Sequence, residues 1–537
     1  MIRTSRVIIA CAVTIFFQVA SASAISVRTV ALSSGVAPGG GSFFGFSAPL
    51  LNEQGRTAFF SGANTAAIYS EGTGPLALVA KVGDPAAGLP GATFNSFSFA
   101  QQEHLTLNDH GDVAFYGVAF DPNRTPRSLP GVWQSTSSGQ SLLYHEGDTF
   151  LPASSEVLTL VKFDGLSFNN SNVATFVATG DLSPSNPSGT RHVLLNKSAS
   201  TGRIVARSGT LPPAMASPAN FSGLLYNEVT AVAVNDNSHV AFQAIVDNAG
   251  TNNTGIWAES TSGLHLVALR GNLAPGFPGK AFQSFTRPGF NNAGHTVFQA
   301  VADVNSPIAD GIWSDRSGKL QLIAGTGTAV PGLSGATLRS TQGGAFSPLP
   351  QINGADRVVF AGRMTGATTS TDAAIFSDGL GSLAIVAREG DQVPGAPVGT
   401  VFTDFMQCSI STNCGYSING NGQVAFLDPT RGLFAQDIHG VLREIARIGG
   451  TLEVAPGDFR TITSVSFQNG TGNEDGRASA FNNLGQIAFR ATFGATSGVF
   501  VSDVVAIPEP TTFGLLIAAA GVGIFWPRPT RNRAAAN

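Results

Sequence analysis

The sequence predicts an all-β fold, a β-propeller of eight four-stranded blades closed by its N-terminal strands, on three observations. One short motif recurs eight times at nearly constant spacing, as repeat architectures require. The chain opens in the second half of a repeat and its last repeat stops after the first half. Windows with helical periodicity are nearly absent, whereas short apolar runs with period-2 character recur between turn residues. Seven blades with one degenerate unit is the neighbouring alternative.

The motif is N-x-x-G-x-x-A-F with close variants. Its first residue falls at Asn52, Asn108, Asn169, Asn235, Asn291, Asn353, Asn419 and Asn482, giving spacings of 56, 61, 66, 56, 62, 66 and 63. A unit near 60 residues suits one four-stranded sheet better than a solenoid turn. The Asn can accept a hydrogen bond from the backbone two residues on, and the Gly can take positive φ, so N-x-x-G closes a hairpin turn without any ligand. Ala and Phe then offer one small and one large buried side chain. Three turns replace the Gly, by Asn172, Ser238 and Asp356. Asn and Asp tolerate the left-handed conformation, which leaves Ser238 as the weak fit.

Each unit continues with a variable polar loop and then Gly-Ile-Trp or a relative, such as Gly131-Val132-Trp133, Gly255-Ile256-Trp257 and Gly311-Ile312-Trp313. A further strand, a Pro-Gly and a Phe-containing segment complete it. The opening ISVRTVALSSGVAPGGGSFFGF matches that second half, and the closing FNNLGQIAFRAT with GVFVSD matches only the first. A ring whose last sheet takes strands from both termini needs that offset, whereas an open solenoid would show polar capping repeats. The 537 residues therefore divide into residues 1–24, one ring of residues 25–504, and a tail of residues 505–537.

Composition agrees. Gly numbers 64 and charged residues make up 12%, against about 25% in ordinary domains, so polar turns rather than charged helix faces cover the surface. A net charge of −4 provides no polycation for nucleic acid.

The two ends read as addresses. Arg3 and Arg6 precede an apolar run from Val7 to Ala20, and Ala22 and Ala24 supply small residues for a signal-peptide cut after Ala24. An uncleaved anchor helix is the alternative. At the other end, Pro508-Glu509-Pro510 is followed by a nearly uncharged stretch and then by Arg528, Arg531 and Arg533. About 16 apolar residues make a marginal membrane segment with its basic side left in the cytoplasm. This order resembles the PEP-CTERM sorting signal of exported bacterial proteins. The resemblance implies recognition by an exosortase-type processing enzyme, a cut near Pro508 to Pro510, transient anchoring in the inner membrane, and delivery to the cell surface or extracellular matrix. A plain C-terminal anchor is the alternative. The repeats likewise resemble the choice-of-anchor tandem-repeat proteins named for the NxxGxxAF motif, a resemblance that implies no activity.

Chemistry is sparse in the sequence. The eight histidines show no HxH or HExxH spacing, and no G-x-S-x-G elbow occurs, so no catalytic, cofactor-binding or metal-ligating residue is assigned. Asn235 to Ser238 (NDNS) and Asn473 to Gly476 (NEDG) look oxygen-rich but lack the alternating carboxylates of a calcium loop. Asp84, Glu146, Asp148, Glu389 and Asp391 recur beside one Gly and favour a turn role. Cys408 and Cys414 share a loop, and export to an oxidising compartment favours a disulfide between them, with two free thiols as the alternative. The resulting expectation is a non-enzymatic surface or matrix protein, a binding propeller whose loops take exopolysaccharide or a surface protein, or a structural one. The alternative is a secreted propeller enzyme, a polysaccharide lyase or glycoside hydrolase.

Overall fold

The structure, a computed structural model, describes residues 27–62, 67–97, 104–153, 156–182, 190–225, 232–248, 250–303, 305, 308–339, 349–368, 370–403, 415–472 and 474–502. Ala22, Ala24, Cys408, Cys414, Pro508 to Pro510, Arg528, Arg531 and Arg533 lie outside them. Among the described residues no helix is long and apolar enough to cross a membrane.

Among the described residues eight antiparallel sheets each form one blade of a propeller, and a separate two-stranded sheet pairs Thr451–Ala455 with Asp458–Thr461. Blade 1 is the simplest, with an inner strand Leu50–Leu51 paired to Thr57–Ser61, then Ala67–Ser70 and the outer strand Ala77–Lys81. Blades 6 and 7 repeat that order, from Gln351–Ile352 to Ala384–Arg388 and from Tyr416–Ile418 to Leu442–Arg447. Blades 2, 4 and 5 split the inner position between two short strands, and blade 3 carries five strands in meander order. Blade 8 takes Ser464–Ser466, Ala488–Phe493 and Thr496–Ser502 from the end of the ring, and Val27–Leu32 from its beginning as the outer strand. Val27 lies opposite Ser502, so the first and last described residues pair. Eight blades, not seven, and closure by the N-terminal strand agree with the reading of the repeats.

The motif Phe and the aromatic of the Gly-Ile-Trp strand pack together in seven of the eight sheets, while in blade 3 Leu195 faces Phe176. They are direct cross-strand partners: Phe59 opposite Tyr69, Phe115 opposite Trp133, Phe242 opposite Trp257, and Phe489 opposite Phe500. Their rings stack at centroid distances of 5.6 to 6.3 Å, within the range of favourable aromatic pairs. In blades 2, 4 and 8 the Gly two residues before the aromatic lies beneath its ring. A Cβ on Gly131 would come within 2.8 Å of Trp133, and one on Gly255 within 2.6 Å of Trp257.

The Trp ring also ties the arm that enters its blade. The indole N–H of Trp133 donates to the Ala87 carbonyl at 2.9 Å, and that of Trp313 to the Pro275 carbonyl at 2.9 Å. Trp257 is equally buried, yet its indole N–H has no partner among the described residues. An unmade buried bond costs more than a made one contributes. Trp257→Phe should therefore destabilise the ring by about 1 kcal/mol less than Trp133→Phe or Trp313→Phe. Urea unfolding of the three variants checks this, and equal losses would refute it.

Candidate functional site

The eight motif asparagines stand together around the propeller axis, all 0% to 1% exposed. In every turn the Oδ1 accepts the N–H four residues on, at 2.9 to 3.0 Å. In five turns it also accepts the N–H two residues on. The Nδ2 reaches outward to the neighbouring blade. Asn52 donates to the carbonyl of Asn108, Asn108 to Asn169, Asn169 to Asn235, and Asn235 to Asn291. Asn291 donates to Asn353, Asn353 to Asn419, Asn419 to Asn482, and Asn482 back to Asn52. These eight bonds of 2.8 to 3.2 Å close a circle, so each Asn shapes its own turn and latches it to the next.

The turns without Gly follow from the same circle. Asn172, Ser238 and Asp356 all adopt φ near +60°. Each side chain accepts the second amide hydrogen of the preceding Asn: Asn108 donates to Asn172 Oδ1, Asn169 to Ser238 Oγ, and Asn291 to Asp356 Oδ1. Ser238 is therefore no weak fit, because its hydroxyl gains a bond between blades that offsets part of the strain.

Inside this circle the last blade departs from the others. Between Ser464–Ser466 and Ala488–Phe493 it inserts a plug, described over residues 468–472 and 474–480, that touches most of the ring. Asp475 O accepts the N–H of Val234 in blade 4, Gly476 O that of Phe168 in blade 3, and Ser479 O that of Leu51 in blade 1, at 2.7 to 2.8 Å. Gly470 exchanges two bonds with the Ser417 hydroxyl in blade 7. Arg477 donates to the Pro288 carbonyl in blade 5 and also pairs with Asp475.

Above the plug lies a polar cup of about 190 Å³, lined by Glu53, Asp109, Asn170, Asp236, Asn292, Gly354, Gly472, Glu474 and Asn483. Seven of the nine are the residues that follow a motif Asn, so the repeat itself delivers them to one rim. They form a second hydrogen-bonded series. The N–H of Glu53 donates to Asp109, that of Asp109 to Asn170, that of Asn170 to Asp236, and that of Asp236 to Asn292. Asn483 N–H donates to both Glu53 oxygens. Asn170 Nδ2 bridges Asp109 and Asp236, and Asn292 Nδ2 reaches Asp236.

Among the described residues, four carboxyl groups and no Lys, Arg or His line this cup. Burial pushes Glu53 up from its ordinary 4.5 to about 7. The Asn483 N–H opposes the rise, while Asp109 and Glu474 add to it. Burial likewise raises Glu474 to about 7 against the pull of the Gly354 N–H, with Asp475, Asp236 and Asp356 contributing repulsion. Among the described residues no three His, Cys, Asp or Glu side chains stand close enough to hold a metal ion. The carboxyls and carboxamides of the lining place hydrogen-bond acceptors and donors around the cup. At about 190 Å³ the cup is smaller than the 300 Å³ at which drug-sized pockets begin. A smaller recess beside the plug, about 40 Å³, is lined by Arg287, Arg477, Asp475, Gln351, Gln468 and Thr471 among others.

Sequence reasoning assigned none of the cup residues. Its two oxygen-rich loops, NDNS and NEDG, do contribute Asp236 and Glu474, but as separate points on the rim and the plug. Asp84 and Asp148 sit elsewhere, accepting the N–H of Lys81 and His145 within tight turns. The readable signals were the acid or amide after five of the first six motif asparagines and the extra length between Phe467 and Phe481.

The chain is similar in fold to several solved propellers at low identity. The Dos1 propeller is 11% identical with a TM-score of 0.38, over 90% of this chain and 98% of that one. An oligogalacturonate lyase in complex with manganese is 10% identical with a TM-score of 0.35, over 88% and 99%. The β-propeller domain of the trilobed protease from Pyrococcus furiosus is 8% identical with a TM-score of 0.33, over 75% and 96%. No curated protein matches the sequence. A family model matches residues 14–225 and 215–513, and the chain belongs to that family, the family of unknown function DUF7453.

Proposed function

We propose that this protein is an exported, non-enzymatic binding propeller of the bacterial surface or matrix, and that its polar cup holds a sugar unit of an exopolysaccharide. In this reading Met1 to Ala24 is removed on export. The C-terminal segment anchors the chain transiently in the inner membrane, and an exosortase-type enzyme cuts near Pro508 to Pro510. The observation that carries the binding role is the cup itself, where carboxylates and carboxamides converge on a recess floored by the protein's own plug. Hydroxyl-rich ligands are recognised by such groups because each carboxylate oxygen accepts, and each carboxamide both donates and accepts.

A glycan array probed with the ring, residues 25–504, tests the proposal. Retention of a defined set of glycans by the ring, weakened about tenfold or more in Asp236→Ala, is the expected result, since a charge-assisted hydrogen bond contributes about 1.5–3 kcal/mol. Equal signals for the ring and the variant, or no glycan retained, would overturn it. A second reading has one observation in its favour. Two carboxyls that stay protonated to about pH 7 face one cavity, as a general acid requires. Release of new reducing or unsaturated sugar ends by the ring, abolished in Glu53→Gln, would favour a glycoside hydrolase or lyase instead.

A further inference from the structure

The plug is built from the same residues that complete the cup. Gly472 and Glu474 form part of its lining, while the flanking carbonyls of Asp475, Gly476 and Ser479 hold the inner strands of blades 4, 3 and 1. The cup in its present form therefore exists only while the plug is docked. The groups around Glu474 are almost uniformly acidic. Asp236 approaches from the blade 4 turn, Asp356 from the blade 6 turn, Glu53 from the blade 1 turn, and Asp475 from the plug itself. Asp109 on blade 2 adds to the field at Glu53. The basic side chains nearby are engaged: Arg477 pairs with Asp475, and the His295 ring on blade 5 shares a hydrogen bond with Asp356 Oδ1 at 2.7 Å.

We propose that the plug is a latch whose docking depends on the charge state of the cup, so that neutralising the cup holds the plug in the channel and charging it releases the plug. The sign follows from linkage. Glu53 and Glu474 keep their protons to about pH 7 in the docked state but lose them near 4.5 when solvated. Docking is therefore most favourable below about pH 4.5, weakens as pH rises towards 7, and is level above it. Every tenfold loss of acidity that a carboxyl undergoes on docking changes the docking equilibrium tenfold across that range.

Amide hydrogen exchange on the full-length chain tests this at Phe168 and Val234, whose N–H groups bond plug carbonyls. Phe176 and Phe242, in the strands paired directly with those of Phe168 and Val234, serve as internal references. After correction for intrinsic exchange, protection at Phe168 and Val234 should fall about tenfold or more relative to the references between about pH 5 and about pH 8. The fall should vanish in Glu474→Gln and shrink in Glu53→Gln, whose side chains lie on different elements. Gly476→Ala should expose both amides at either pH, because its Cβ would meet Val234 Cγ1 at 2.6 Å at a φ of +68°. Equal protection at both pH values, a fall that survives in both glutamine variants, or unchanged protection in Gly476→Ala would overturn the proposal.

Discussion

Asn235→Ala is expected to lower the unfolding free energy of the ring by about 3–5 kcal/mol. The wild-type side chain is 0% exposed and makes three bonds. Its Oδ1 accepts the N–H groups of Asn237 and His239 at 3.1 and 3.0 Å, and its Nδ2 donates to the Asn291 carbonyl at 3.1 Å. Losing three bonds costs about 3 kcal/mol, and leaving buried backbone groups without partners adds to that. Asn237→Ala is the control. Asn237 is exposed and makes one long side-chain bond, to the Asn292 carbonyl at 3.3 Å, so its loss should stay within about 1 kcal/mol. Urea unfolding followed by Trp fluorescence measures both. A loss below about 1 kcal/mol for Asn235→Ala would mean that the circle of asparagines does not hold the blades together.

Deleting residues 25–33 is the second large perturbation, because it removes the strand that closes the ring. Val27–Leu32 pairs with Thr496–Ser502 through five registered positions. Arg28 also crosses to blade 1, where it pairs with Glu71 at 2.6 Å and bonds the Gly55 carbonyl. Glu71 is buried and would keep only its bonds to Thr57, an arrangement that costs free energy for an uncompensated carboxylate. The summed loss is on the order of 5 kcal/mol, discounted for the exposed side of Arg28. The truncated chain should melt at lower temperature and self-associate through the bare edge Thr496–Ser502. A synthetic peptide of residues 26–33 should reverse both changes. An unaltered melting temperature with a monomeric chain would show that the Asn circle and the plug alone close the ring.

Much of the architecture was legible in the repeats alone. Blade number followed from counting N-x-x-G-x-x-A-F, because one hairpin turn per unit needs one such motif. Closure followed from the phase offset between the two ends. The partnership of Phe115 with Trp133 is implicit in a meander whose second and third strands each carry one aromatic, although its register requires the loop length between them. The site was far less legible. Glu53, Asp109 and Asp236 look like ordinary solvated turn residues, since nothing local separates a turn that faces bulk water from one that faces a narrow axis. Glu474 sits in what reads as a polar insertion.

The sequence by itself determined the all-β class, the count of eight and the out-of-phase closure. These are repetitive properties, written by local turn chemistry and strand periodicity in every unit. Only the tertiary structure decided that the Asn amides latch neighbouring blades and that Ser238 gains a bond between blades where other turns have Gly. It alone brought together carboxylates separated by more than 400 residues in the chain. The physical reason is that ring closure superimposes equivalent positions of different repeats on one axis. There a residue's burial, charge and hydrogen-bond partners come from the neighbouring blades and the plug rather than from its own segment.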